Sequence, residues 1–279
     1  AGNGTLDKDD ILAARRRVLE ERKAKTPLEA LRALASMQAR PQPVLSTITD
    51  DCDLMVIGQV RYSPAGGTGD AHYDPVALAL RFERAGVDAI SLVSDDPLTP
   101  VGMDDLALIA RAVRCPLISQ DAALDAYQII EARAGGASAV VLSGLWGEAV
   151  DQRALMSLTQ RNRMTAIIAV EDFAALDAAR SLCPQVIALG WGDSERMRFE
   201  HEMLSALRVE IAPETRVLLD APIETDEDAA AIASLRVNAV LIGAAFLQST
   251  DNVARLRASL SRASGTGSKE SDHGRDANA

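Results

Sequence analysis

The chain predicts an α/β fold, a (β/α)8 TIM barrel, and three observations carry that expectation. Short apolar runs of strand length alternate with amphipathic helical stretches from residue 54 to residue 262. Glycine or another small residue precedes several of these runs, as in Ala85-Gly86-Val87-Asp88-Ala89 and Gly135-Gly136-Ala137. The length, 279 residues, suits one large domain of this type. A doubly wound open sheet is the competing architecture, but it seldom needs eight such regular units.

The head stands outside the repeat. Asp9–Lys23 and Pro27–Met37 are helical in pattern, with apolar residues at Ile11, Leu12, Val18 and Leu19 and then at Leu28, Leu31 and Leu34. Pro27 suits the first turn of the second helix and Thr26 its N-cap. The expected strands are Leu54–Val60, Ala89–Val93, Pro116–Ser119, Ala139–Ser143, Thr165–Val170, Val186–Leu189, Arg216–Leu219 and Ala239–Gly243. The expected helices are Pro75–Ala85, Asp104–Val113, Ala126–Ala134, Asp151–Arg161, Asp172–Leu182, Phe199–Leu207, Asp226–Leu235 and Asn252–Arg262. The chain thus divides into an N-terminal helical extension (1–43), a barrel (44–262) and a tail (263–279). The tail, Gly, Ser and charge without an apolar period, is expected to be disordered. The extension can pack against the barrel mouth or its wall.

Composition narrows the function classes. A net charge of -11 argues against nucleic acid or an anionic membrane surface as partner. Aromatic residues are only 3% of the chain, so aliphatic side chains must fill the core. Cys52, Cys115 and Cys183 lack C-x-x-C spacing, which predicts reduced, buried thiols in a cytoplasmic protein. No run of about 18 apolar residues occurs, and the N-terminus lacks a signal-peptide layout.

In such barrels, chemistry sits at the C-terminal ends of the strands. Those ends read Arg61-Tyr62-Ser63-Pro64, Ser94-Asp95-Asp96, Ser119-Gln120-Asp121, Ser143-Gly144, Glu171-Asp172, Gly190-Trp191, Asp220-Ala221-Pro222 and Gly243-Ala244-Ala245. They hold carboxylates and hydroxyls but neither lysine nor histidine; no lysine occurs between Lys25 and Lys269. His72 falls in the first loop, His201 on a helix and His273 in the tail. No metal-ligand spacing is present, and no cofactor is implied.

Several segments resemble the indole-3-glycerol phosphate synthase family of the tryptophan pathway. They are ILAARRRVLEERKAKTPLEALRALA in the head, YDPVALALRFERAGVDAISLVSDD, DAYQIIEARAGGASAVVL and NAVLIGAAFLQSTDNVARLRASL. The resemblance runs from about Ile11 to Leu260 and covers scaffold, which speaks to fold before function.

The catalytic motifs depart from the family's. Against E-I-K-R-x-S-P this chain reads Gly58-Gln59-Val60-Arg61-Tyr62-Ser63-Pro64, so anchoring on Ser63-Pro64 places the family's glutamate at Gly58 and its substrate-binding lysine at Val60. The general-acid lysine of R-K-D-F falls on Gln120, and the glutamate of E-V-H falls on Ala169. N-N-R-D becomes Gly190-Trp191-Gly192-Asp193, and S-E-S-G becomes Leu219-Asp220-Ala221-Pro222. A register shift that recruits Gln59 or Glu171 is expected to turn the side chain to the opposite face.

The family reaction closes an indole ring on an anthranilate-derived ribulose phosphate, losing carbon dioxide and water. It needs a proton donor, a base, and cations for carboxylate and phosphate. Gln120 cannot deliver a proton near neutral pH. The resemblance therefore implies a non-catalytic relative, retained for binding a phosphorylated or aromatic small molecule or a protein partner. The alternative is a working carbon–carbon lyase of the synthase type with a rearranged site. A third possibility uses Asp96, Asp121, Glu171 and Asp220 as acids or bases, although strand-end acids also cap the following helices. Arg61, Ser63, Gly243 and Ala244 are the candidates for a remnant phosphate site, with Gly66-Gly67-Thr68-Gly69 as further donors. Pro222 and the charge of Asp220 weigh against it. Tyr62, Leu145, Trp146 and Trp191 can fill the old cavity or line an apolar site.

Overall fold

The computed structural model describes residues 8–45, 54–61, 74–93, 103–120, 123–143, 151–190, 200–247 and 251–265. Eight parallel strands close into a barrel in sequence order. They are β1 (Met55–Arg61), β2 (Ala89–Val93), β3 (Leu117–Ser119), β4 (Ala139–Ser143), β5 (Thr165–Val170), β6 (Val186–Leu189), β7 (Arg216–Ile223) and β8 (Ala239–Ile242). The head forms α1 (Lys8–Lys25) and α2 (Leu28–Met37). The barrel helices among the described residues are α3 (Pro75–Arg84), α4 (Met103–Ala112), α5 (Ala126–Ala134), α6 (Gln152–Arg161), α7 (Phe173–Arg180), α8 (His201–Glu210), α9 (Asp226–Ile232) and α10 (Asn252–Gly265). Residues 263–265, assigned to a disordered tail, continue α10, and 266–279 lie outside the described residues. No described helix is long and apolar enough to cross a membrane.

Aspartate N-caps start four of the helices that follow strands. Asp74 accepts from Ala77 N–H at 2.9 Å, Asp125 from Tyr127 at 2.7 Å, Asp151 from Ala154 at 2.9 Å and Asp172 from Ala175 at 2.7 Å. Thr225 and Asp228 cap α9 reciprocally. The head starts differently from expectation. Pro27 itself is the N-cap of α2, with extended ψ, and Thr26 spends its carbonyl on the Tyr127 hydroxyl at 2.9 Å.

Alternation along the strands sorts side chains into two cores. Ile57, Ala89, Ile118, Ala139, Val141, Ile167, Val186, Ala188, Leu218, Ala239 and Leu241 fill the lumen. Val56, Val60, Ile90, Leu92, Leu117, Val140, Ile168, Leu189, Leu219 and Val240 face outward onto the helices. Below the lumen, Val44 and Leu45 pack into the inner cluster, completely buried. Leu45 takes a left-handed φ of 60°, and Thr165 Oγ1 donates to Val44 O at 3.3 Å. The chain leaving α2 thus stoppers one end of the barrel.

The head packs on the wall, against α5. Leu19, Leu31 and Ala35 meet Tyr127, Ile130 and Ala134 in a separate apolar cluster. Arg22 pairs with Glu131, and Arg133 donates to the carbonyls of Gln38 and Ala39 at 3.1 and 2.9 Å. Lys23 reaches Asp125 at 3.0 Å, and Lys25 reaches Asp104 at 3.7 Å. Both lysines therefore engage the starts of α5 and α4.

The cysteines are not uniformly buried. Cys115 is half-buried, and burial pushes its thiol up to about 11, whereas Cys183 is exposed in a turn with φ 50°. Cys52 lies outside the described residues.

Candidate functional site

Above the aliphatic layers the lumen turns polar. Gln59 and Arg61 lie on the β1 face that also carries Ile57 into the lumen, and Ser91 follows Ala89 on β2 in the same way. Gln120 follows the end of β3, two residues after Ile118, and Asp220 stands two after Leu218 on β7. Gln120 is the hub of this layer. Its Oε1 accepts from Gln59 Nε2 at 3.0 Å and from Ser91 Oγ at 2.7 Å, and its Nε2 donates to Asp220 Oδ1 at 3.1 Å. Gln59 and Ser91 are buried. With both ends of its amide engaged, Gln120 holds one orientation.

Asp220 is the ionisable member of that network. Burial holds its carboxyl above the usual carboxylate range; the charge of Arg61 and the Gln120 donor pull it down without cancelling the effect. Asp220 does not cap a helix, since β7 continues to Ile223 and Thr225 caps α9. Asp220 is half-buried, so the described part of the mouth holds one carboxyl whose affinity for a proton is raised.

Glu224 is a second acid that the sequence did not disclose. It follows β7 directly, and its backbone is fixed by the α9 cap: the N–H groups of Glu224 and Thr225 both donate to Asp228 Oδ2, at 3.0 and 2.9 Å. Its carboxylate reaches across to the end of β8, where Oε2 accepts from Ala245 N–H at 3.1 Å. A Cβ on Gly243 would lie 1.7 Å from Glu224 Oε1, so only glycine leaves room for it. Burial raises the Glu224 carboxyl, as does Asp228, against the Ala245 N–H and Arg61.

The expected family positions divide sharply by face. Gly58 and Val60 do not reach the lumen: Val60 lies in the outer core, and a Cβ on Gly58 would lie 2.3 Å from the Phe82 ring of α3. Lumen-facing functional groups on this strand can only be Gln59 and Arg61. The expectation that a one-residue shift would turn the Gln59 side chain away is therefore overturned: Gln59 faces the lumen. Leu219 likewise faces the helices, while its neighbour Asp220, aligned with the glutamate of S-E-S-G, faces in. Gln120 and Ala169 are lumen residues as expected. Gly190, just after β6, has φ 132°, and a Cβ there would lie 2.8 Å from the Asp220 carbonyl oxygen.

Of the expected phosphate set, Arg61, Gly243 and Ala244 fall among the described residues. Arg61 stands exposed at the rim, and its charge bears on both Asp220 and Glu224. The Gly243–Ala245 backbone holds Glu224, not an open cradle. Glu224, rather than Asp220, is the carboxyl group that lies against this backbone. Pro222 lies within β7, at the register shift where the strand pairs with Leu241. Glu171 is half-buried and engaged with a partner. His201 meets Ser234 Oγ at 3.3 Å on the outer helices. Ser63, Gly66, Gly67, Thr68, Gly69, His72, Asp96, Asp121, Tyr62, Leu145, Trp146, Trp191 and His273 lie outside the described residues. Among the described residues no three His, Cys, Asp or Glu side chains come together as metal ligands.

The family model described as indole-3-glycerol phosphate synthase matches residues 8–258. Relatives carrying that name include one from Campylobacter jejuni (strain 81-176), 26% identical over 255 residues, 90% of this chain and 99% of the relative. One from Dehalococcoides mccartyi (strain CBDB1) is 28% identical, covering 86% of this chain and 94% of the relative. One from Kineococcus radiotolerans is 28% identical, covering 87% and 90%. A match that runs from α1 into α10 takes in the head and every barrel strand. The chain belongs to the indole-3-glycerol phosphate synthase family.

Proposed function

We propose that this family member no longer closes the indole ring and that its barrel serves to bind a small molecule. One observation carries the reading. Among the described lumen-facing residues above the aliphatic layers, Gln59, Ser91, Gln120 and Ala169 offer no ionisable group, Arg61 and Asp220 are the charged or titratable side chains left, and Gln120 is already bonded to Gln59, Ser91 and Asp220. Ring closure needs protons delivered and removed at several atoms. Loss of one such group costs about 10²–10⁴ in rate, and groups acting as a unit do not fail additively.

A second reading has its own support: the synthase reaction persists through a rearranged set. The near full-length match to relatives named as synthases favours it. So does Asp220, a lumen acid raised above the usual range beside Arg61. Under it, Asp220 donates the proton and Arg61 holds a substrate anion.

Expression in a tryptophan auxotroph that lacks its own synthase separates the two. The first reading predicts no growth without tryptophan. Growth that disappears with Asp220→Asn would establish the second reading and remove the first.

A further inference from the structure

We propose that Glu224 is a built-in occupant of the backbone donors that follow β8, and that it sets the ligand class of this mouth to molecules without a phosphate. The inference rests on the first reading above, and it concerns one side chain.

In barrels of this type, the segments after strands seven and eight present backbone N–H groups to phosphate. Here the corresponding Ala245 N–H donates to Glu224 Oε2 at 3.1 Å. The other carboxylate oxygen lies over Gly243, so close that a Cβ would sit 1.7 Å from it. The seat is therefore filled by volume as well as by charge. Nor is Glu224 a loose surface side chain. It is half-buried, and its main chain is tied to the α9 cap through Asp228 at 3.0 Å. Asp228, buried beside it, is a further carboxylate on the same side.

Arg61 is the cation whose charge reaches this place, and it serves Asp220 and Glu224 together. A phosphate entering here would have to displace Glu224 from Ala245 or share one guanidinium with two carboxyl groups. Like charges about 5 Å apart repel by roughly 3 kcal/mol at an effective dielectric near 20. Pro222, on the facing strand, has no N–H with which to offset that repulsion. A ligand with a hydroxyl, an amide or an amine meets neither obstacle.

The test is titration of the full chain with inorganic phosphate, followed by calorimetry, for wild type, Glu224→Ala and Glu224→Gln. Wild type is expected to show no saturable binding in the millimolar range, while Glu224→Ala binds at least about tenfold more tightly. Glu224→Gln is expected to stay near wild type, because its carbonyl still fills the seat on Ala245. Wild-type binding equal to that of Glu224→Ala would overturn the proposal, as would absence of binding in both. Equal gains in both variants would overturn the seat in favour of simple charge repulsion. Phosphate reads the cradle alone. Failure here thus leaves the ring-closure question standing, whereas growth of the auxotroph would show that a phosphorylated substrate enters the mouth and would remove the ligand-class claim whatever the titration reads.

Discussion

The two halves of the barrel lumen obey different rules. The lower half is filled by Ile57, Ile118, Ile167, Val186, Leu218 and Leu241, and Val44 and Leu45 close it from below. Any set of aliphatic side chains with the right total volume satisfies that space. The upper half holds Gln59, Ser91, Gln120 and Asp220, whose hydrogen bonds depend on the identity of each partner. Membership of the synthase family is carried by the scaffold, of which the lower half is part. The function proposed for this chain rests on the upper half.

Substitutions in the lower half are expected to cost the most. Ile167→Ala opens a cavity among fully buried neighbours and should lose about 2–5 kcal/mol in urea unfolding. A loss under 1 kcal/mol would mean the lumen is less tightly filled than described. Gly58→Ala tests the wall from the other side: its new methyl meets the Phe82 ring, and overpacking of this kind costs about 1–3 kcal/mol. Were Gly58 instead lumen-facing, alanine would be tolerated.

In the upper half, Gln120→Leu keeps bulk but strands Gln59, Ser91 and Asp220 without their shared partner. Unfolding should report a loss of about 1–3 kcal/mol. Asp220→Asn goes the opposite way. The folded-state pKa of Asp220 lies above its unfolded value, so the native state keeps a proton that the unfolded chain gives up. The stability this confers is complete below the unfolded value, about 3.9 for aspartate, and is lost as pH rises through the raised folded value. Asparagine removes that slope while still accepting from Gln120. The variant should therefore be more stable than wild type at neutral pH, with the gap closing toward pH 4; an unchanged pH profile would contradict the raised folded-state value of Asp220. The smallest effect belongs outside both halves. Lys23→Ala breaks part-exposed pairs with Glu20 and Asp125 and should cost under about 1 kcal/mol.

Much of the scaffold was legible because period-two and helical patterns were unbroken. Strands β2, β4, β5 and β6 fall where their apolar runs predicted, with identical bounds. Strand β7 is longer than expected because a register shift between Leu219 and Pro222 lets it absorb a proline. A proline inside a strand pattern ordinarily argues for an end. The site was less legible. Counting back from Ser63-Pro64 put Gly58 and Val60 in functional roles, yet alternation alone pairs Gln59 and Arg61 with Ile57, which is the lumen face. That signal was present in the sequence. Glu224 carried no such signal. Its reach to Ala245 depends on the α9 cap and on the missing side chain of Gly243, two features far apart along the chain.

The central proposal is that the upper lumen no longer supports ring closure. The direct measurement is turnover of the anthranilate-derived ribulose phosphate by the purified chain beside an authentic family synthase, read by indole fluorescence with protein in excess over substrate. No product above the uncatalysed background is predicted. Turnover within about 10⁴ of the synthase, abolished by Asp220→Asn, is a loss the size of one missing acid or base and would contradict it.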